Sequence, residues 1–142
     1  MTSRAEAFRP LVSQRAEHRC EYCHYPASAN NASLPIDHIY PQAKGGQTHP
    51  ENLALACWRC NTYKLAKTDG IDLLTGERVR LFNPRSDQWD THFHLNVRTG
   101  EIEGRTAIGR VTAQELSMNA PPAVANRLLL ISVGLFSVHD ER

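Results

Sequence analysis

The stretch that decides the fold runs from residue 20 to residue 64 and begins with CEYC at residues 20–23. It continues with LPIDHIYP at residues 34–41 and closes with NLALACWRCNTYK at residues 52–64. Two Cys-x-x-Cys pairs therefore bracket an Asp-His dipeptide and two asparagines. Cysteine pairs at this spacing are typical of metal knuckles, whereas Asp, His and Asn offer the groups of a second, different site. We therefore expect two metals with two separate tasks.

The four cysteines predict a structural zinc site; they are Cys20, Cys23, Cys57 and Cys60. Each pair can bring two thiolates to one tetrahedral ion at about 2.3 Å. The 33 residues between Cys23 and Cys57 would let that ion close both ends of the central segment. In a reducing compartment such pairs favour a metal over disulfides. Unliganded thiols and a redox pair remain open as alternatives.

Length and composition favour one globular domain. The chain has 142 residues, of which 41% are hydrophobic and 22% charged, and this argues against disorder.

The N-terminal residues contain no apolar core of a signal peptide, and the longest apolar run, residues 128–138, is interrupted by two serines and too short to span a bilayer. We therefore expect a cytoplasmic location. The formal net charge of +1 permits DNA binding without requiring it.

The hydrophobic pattern predicts an α+β fold around the cysteine segment. Residues 3–18 predict a helix that begins near Arg9 or Pro10, since proline is tolerated only in a first turn. Short strands are expected at residues 34–40 and 53–56, and a helix at residues 58–67.

Beyond residue 67 the pattern changes to hairpins and helices. Hairpins are expected at residues 73–82 and 94–102, with turns at Thr75-Gly76 and Thr99-Gly100, and helices at residues 111–118, capped by Thr112, and 122–135, ended by Gly134. We expect a single domain over residues 1–142, with a core at residues 9–67 and an extension at residues 68–142 packed on it.

The central motif resembles that of HNH endonucleases, which have a ββα-metal (His-Me finger) fold, in its zinc-stapled form. The resemblance covers about 45 of 142 residues and rests on the ordered Cys-x-x-Cys, Asp-His, Gly-Gly, Asn-Leu and Cys-x-x-Cys-Asn-x-x-Lys. The position after the last cysteine is often histidine in the family and is Asn61 here. The motif is therefore the H-N-N variant of His38, Asn52 and Asn61, similar to active members in which an asparagine is a metal ligand.

The resemblance implies hydrolysis of DNA phosphodiester bonds that leaves 5′-phosphate ends. His38 would be the general base, because an imidazole with a pKa of about 6.5 accepts a proton near neutral pH. Asp37 and Asn61 would hold one divalent cation, and their hard oxygen ligands suit Mg²⁺ or Mn²⁺. Asn52 would tether the loop and orient His38. RNA remains open as a substrate, and the rival function is a non-catalytic, zinc-containing, nucleic-acid-binding module.

Several basic and aromatic residues are candidates for nucleic-acid contacts. Lys64 could contact a phosphate or be a solvated helix lysine, and Lys44 and Arg59 are further candidates. In the extension, Phe82, Trp89 and Phe93 are expected to form core rather than base-stacking platforms, and Arg85, Arg105 and Arg110 are open between phosphate contacts and surface charges.

Overall fold

The structure is a computed structural model that describes residues 4–136. The first residue of the predicted helix at 3–18 and the last two residues of the run at 128–138 lie outside that range. Within it the fold is α+β, as the sequence predicts, with five α-helices and three two-stranded antiparallel sheets. No helix among the described residues is both long and apolar enough to cross a lipid bilayer.

The helices are α1 (Arg9–Arg15), α2 (Trp58–Lys64), α3 (Trp89–His92), α4 (Ala107–Glu115) and α5 (Pro121–Ser132). The strands pair as β1 (Ile36–His38) with β2 (Leu53–Leu55), β3 (Asp69–Ile71) with β4 (Arg78–Arg80), and β5 (Phe93–Leu95) with β6 (Ile102–Gly104). Because two short strands are not stable alone in water, each pair depends on the helices packed against it.

The N-terminal helix is shorter than the sequence predicts. A 3₁₀ turn at Arg4–Phe8 leads into α1. Pro10 lies in the first turn of α1, where the N–H that proline lacks would have had no helical partner. Val12 is fully buried. Arg15 donates through Nη2 to the carbonyls of Pro50 and Leu53, at 2.5 Å each. The helix therefore anchors the start of β2.

The central segment has the expected ββα order. In the hairpin, Ile36 pairs with Leu55 and His38 with Leu53. All three residues of β2 are buried, so this strand lies inside the core. Helix α2 follows at once and ends at Lys64, three residues earlier than predicted, because Leu65 adopts a positive φ of 49°.

The two hairpins of the extension are confirmed. Gly76 and Gly100 have φ values of +78° and +81°, a left-handed conformation that glycine adopts at little cost. The first hairpin begins four residues earlier than predicted, since its first strand starts at Asp69, and its turn covers residues 72–77.

The prediction that Thr112 caps a helix is wrong. Helix α4 begins at Ala107, four residues before the predicted start at residue 111, and its cap is Thr106, whose hydroxyl accepts from the N–H of Gly109 at 3.1 Å. Thr112 is buried inside the helix, and its hydroxyl donates to the Ile108 carbonyl and accepts from the N–H of Phe82. Helix α5 begins one residue earlier and ends at Ser132, two residues before Gly134.

The aromatic residues of the extension pack against the first cysteine pair. Phe82 and Phe93 are buried, which confirms them as core. Trp89 stacks on His24 with ring centroids 4.0 Å apart, and its Nε1 donates to the carbonyl of Tyr22 at 2.9 Å. The extension thus contacts the cysteine segment directly.

Candidate active site and zinc centre

The four cysteines converge on one point in the core. Their Sγ atoms all lie within 4.8 Å of one another, and each residue is buried. The Sγ atoms of Cys23 and Cys57 are 3.5 Å apart. Four sulfurs bound to zinc at about 2.3 Å would be about 3.8 Å from each other, so the cluster fits a tetrahedral zinc ion.

The backbone around the cysteines is arranged to support thiolates. The N–H groups of Tyr22 and Cys23 donate to Cys20 Sγ, and that of Cys60 donates to Cys57 Sγ, each at 3.4 Å. Burial raises the pKa of Cys20 well above its ordinary value, and a cation at the centre of the cluster would favour its thiolate form.

Glu21 joins the first knuckle to the central hairpin. Its N–H donates to the Leu55 carbonyl at 2.8 Å, and its carboxylate accepts from the Leu55 N–H at 2.9 Å. Arg85 forms an ion pair with the same carboxylate. Arg85 is therefore an internal partner of the knuckle, neither a phosphate contact nor a surface charge.

His38 ends β1 and is half-buried. Its Nε2 lies 2.9 Å from the Thr48 hydroxyl, which also accepts from Gln42 Nε2 at 3.3 Å. Burial lowers the pKa of His38 below its ordinary value, against the opposing effect of Asp37. A neutral imidazole is therefore favoured at pH 7, as a general base requires. Thr48 is a site residue that was not predicted from the sequence, where its one signal is its place in the loop between the strands.

Asp37 points into the core, opposite in direction to its neighbours along β1. The Tyr22 hydroxyl donates to Asp37 Oδ2 at 2.7 Å, and Lys64 Nζ lies 3.2 Å from the same oxygen and 3.4 Å from Oδ1. Burial raises the pKa of Asp37, whereas Lys64 and Tyr22 act in the opposite direction. Burial and Asp37 together raise the pKa of Tyr22 well above its ordinary value, so the phenol stays protonated and donates.

The structure corrects both alternatives for Lys64. This side chain is buried, with 1% of its surface exposed, so it is not a solvated helix lysine and does not reach a phosphate at the surface. Its ammonium donates to the carbonyls of His38 and Ile39, at 3.0 and 2.9 Å, besides pairing with Asp37. The cause is its position one turn after Cys60, on the face of α2 that packs inward.

Asn52 binds the loop between β1 and β2 at two places. Its Oδ1 accepts from the N–H of Tyr40 at 2.8 Å, and its Nδ2 donates to the carbonyls of Tyr40 and Gln47 at 3.0 and 2.9 Å. Gly46 lies against the same turn, and a Cβ there would come within 1.8 Å of the Tyr40 carbonyl oxygen. These contacts hold the loop that carries Thr48 beside His38.

The remaining candidates lie nearer the surface. Asn61 is half-buried on α2, one turn before Lys64, and Arg59 lies over the ring of Tyr63 at 5.7 Å. Lys44 is exposed at the end of a 3₁₀ turn. In the extension, Arg110 pairs with Asp72 at 2.8 Å and Arg105 lies 3.3 Å from His94 Nδ1.

The protein groups near Asp37 could supply only part of a metal coordination sphere. Among residues 4–136, the four cysteines form the only group of three or more His, Cys, Asp or Glu side chains close enough to share one ion. A cation at Asp37 would therefore need ligands of other kinds, such as amide oxygens, water or phosphate. Carboxylate and amide oxygens fit Mg²⁺ or Mn²⁺ in chemistry.

The fold and the cysteine centre agree with what comparison with known proteins finds. Residues 20–67 match the family model of HNH endonucleases, which supports nuclease activity in general. Among curated proteins, the CRISPR-associated endonuclease Cas9 of Corynebacterium diphtheriae is 41% identical to this chain over 63 residues. The match covers 44% of this chain and 6% of that protein. No solved structure matches the chain.

Proposed function

We propose that the protein is a metal-dependent endonuclease that hydrolyses DNA phosphodiester bonds. The observation that carries the proposal is the geometry of His38, a half-buried and weakly basic imidazole held beside a loop that Asn52 ties down. The HNH match over residues 20–67 and the Cas9 relative support the same reaction class.

The chain's own residues divide the task of hydrolysis. His38 accepts the proton of the attacking water, and Asn52 keeps the loop, and with it Thr48, in place beside the imidazole. Asp37 and Asn61 would hold Mg²⁺ or Mn²⁺, which when bound would neutralise charge on the phosphate and on the leaving 3′ oxygen. The zinc centre holds the frame and has no free position for substrate.

Lys44 and Arg59 are the basic residues that we propose for contacts with the DNA backbone, since Lys64 is buried. By family resemblance the products carry 5′-phosphate ends. RNA remains open as the substrate, and the same cleavage assay with an RNA of matched sequence would decide between them.

One observation favours the rival function, a zinc-containing module that binds nucleic acid without cutting it. Both oxygens of Asp37 are already contacted by Lys64, and Tyr22 also donates to Oδ2. A cation would have to share that carboxylate with an ammonium group. A carboxylate offers about four acceptor positions, so sharing is sterically feasible.

The deciding experiment is cleavage of supercoiled plasmid in Mg²⁺ or Mn²⁺. We expect the wild type to nick the plasmid and His38→Ala to be slower by a factor of at least about 100. His94→Ala is the matched control, because His94 lies in β5 outside the proposed site. Equal rates for wild type and His38→Ala would exclude this mechanism. A wild type that shifts the plasmid on a gel and never nicks it would establish the rival.

A further inference from the structure

Tyr22 has a contact that a zinc knuckle does not require. A knuckle needs its two cysteines and a tight turn, and the residues between them can point to solvent. Tyr22 instead turns inward and is fully buried, with its hydroxyl 2.7 Å from Asp37 Oδ2. A phenylalanine would fill the same space, so the hydroxyl itself calls for an explanation. Its one hydrogen bond is to the carboxylate proposed to hold the cation.

The position of the Tyr22 ring is fixed from several sides. The knuckle holds its backbone, since its N–H donates to Cys20 Sγ at 3.4 Å. Trp89 Nε1 donates to the Tyr22 carbonyl at 2.9 Å, and the rings of Tyr22 and Phe82 form a T-shaped pair with centroids 6.5 Å apart. The hydroxyl is therefore held in place by the zinc centre and the extension together.

Lys64, at the end of α2, contacts the same Asp37 carboxylate. Its ammonium has three donors, which it directs at Asp37 and at the carbonyls of His38 and Ile39. Lys64 comes from α2 and Tyr22 from the first knuckle, so two elements fix the direction of one side chain on β1. We call Tyr22, Asp37 and Lys64 the carboxylate clamp.

We infer that Tyr22 is a positioning residue, whose hydroxyl orients the Asp37 carboxylate toward the divalent cation and so links the zinc knuckle to the hydrolytic site. This inference rests on the proposed function. Groups that hydrogen-bond a metal ligand orient it, and removing them typically weakens metal binding by a factor of about 10–100. The clamp leaves acceptor capacity on Asp37, because the contacts from Tyr22 to one oxygen and from Lys64 to both do not fill the four acceptor positions of a carboxylate.

The test is the affinity of Tyr22→Phe for Mn²⁺, measured by electron paramagnetic resonance of the free ion on the zinc-loaded full chain. We expect binding about tenfold weaker than in the wild type, with the zinc content unchanged. Tyr25→Phe is the matched control: it also removes one phenol hydroxyl near the knuckle, but that hydroxyl donates to the Ala29 carbonyl at 3.1 Å. Its Mn²⁺ affinity should equal that of the wild type.

Plasmid cleavage as a function of Mn²⁺ concentration gives a second readout. A positioning role predicts that the half-saturating concentration for Tyr22→Phe rises about tenfold while saturating Mn²⁺ restores most of the rate. Unchanged Mn²⁺ affinity in Tyr22→Phe would overturn the inference and leave the proposed function intact. Loss of zinc from the variant, or a rate lowered equally at every Mn²⁺ concentration, would also overturn it, since the hydroxyl would then support only the fold. A wild type that neither binds Mn²⁺ nor cleaves would instead refute the proposed function.

Discussion

At the scale of single residues, the environment of His38 decides the pH at which the protein should work. The imidazole acts as a base only when neutral, and burial lowers its pKa below the ordinary value of 6.5. A lower pKa moves the loss of the neutral form to a lower pH. Cleavage should therefore be at full rate at pH 7 and should fall only as the solution is acidified.

The measurement is the plasmid nicking rate between pH 5 and pH 8, with a midpoint of the rising limb expected below 6.5. Repeating the profile in Mg²⁺ and in Mn²⁺ is the control, because ionisation of a metal-bound water would move the midpoint between the two ions. A midpoint near or above 7 would mean that a group other than the buried imidazole takes the proton.

Lys64 gives a second prediction at this scale. Lys64→Met keeps the bulk of the side chain but leaves Asp37 buried beside no cation, which should lower the free energy of unfolding by about 3–5 kcal/mol. Lys67→Met is the control, because Lys67 pairs with Glu115 in a more exposed position and should cost less than about 1 kcal/mol.

Denaturant unfolding of the zinc-loaded proteins measures both changes. The double variant Lys64→Met/Asp37→Asn should regain part of the lost free energy of unfolding, because the buried carboxylate charge without a partner is then gone. Equal stability of Lys64→Met and wild type, with weaker DNA binding, would instead restore Lys64 as a surface phosphate contact.

At the scale of elements, the loop between β1 and β2 depends on Asn52. Asn52→Ala removes three hydrogen bonds that join the loop to itself, and we expect a loss of about 1–3 kcal/mol in unfolding free energy together with slower cleavage. Asn30→Ala is a matched control, since its exposed amide makes a single bond to the Ala32 carbonyl.

Stability and cleavage rate measured on the same samples separate the two effects of the tether. A variant that is destabilised yet cleaves at the wild-type rate would show that the loop does not position His38. That result would refute the proposed role of Asn52 in orienting His38 and would leave Asn52 with a structural role only.

The elements that the sequence predicts well are those set by local chemistry. The cysteine knuckles, the two glycine turns and the apolar alternation around Asp37 each depend on a few neighbouring residues, and the structure has them in the expected order. The start of α4 is different, because Thr106 and Thr112 both suit a cap. Tertiary packing decides between them, since Gly109 lies against the His92 carbonyl, where a Cβ would approach to 1.9 Å.

The inward placement of Lys64 is the largest miss in the candidate site. Its partner Asp37 is 27 residues away in sequence, so no local sequence pattern indicates that the two side chains pair. The available clue was that Lys64 follows Cys60 by one helical turn and therefore shares the face that a buried cysteine defines. The proposed role of Asn61 as a ligand stays a prediction.

At the scale of the whole molecule, one buried apolar cluster includes residues of both the cysteine segment and the extension. Trp89 and Arg85 reach the first knuckle from the extension through Tyr22 and Glu21. The zinc centre is thus enclosed by both parts of the chain. Any single Cys→Ser change should therefore destabilise residues well beyond the knuckle itself.

The central claim is that two metals serve two separate tasks, and metal content measured together with cleavage tests it most directly. After exchange into metal-free buffer, elemental analysis should find one zinc per chain and the plasmid should remain supercoiled. Adding Mg²⁺ or Mn²⁺ should then start nicking while the zinc content stays at one. Cleavage by the zinc-loaded protein without any added cation, or a folded and active protein that retains no zinc, would contradict the account.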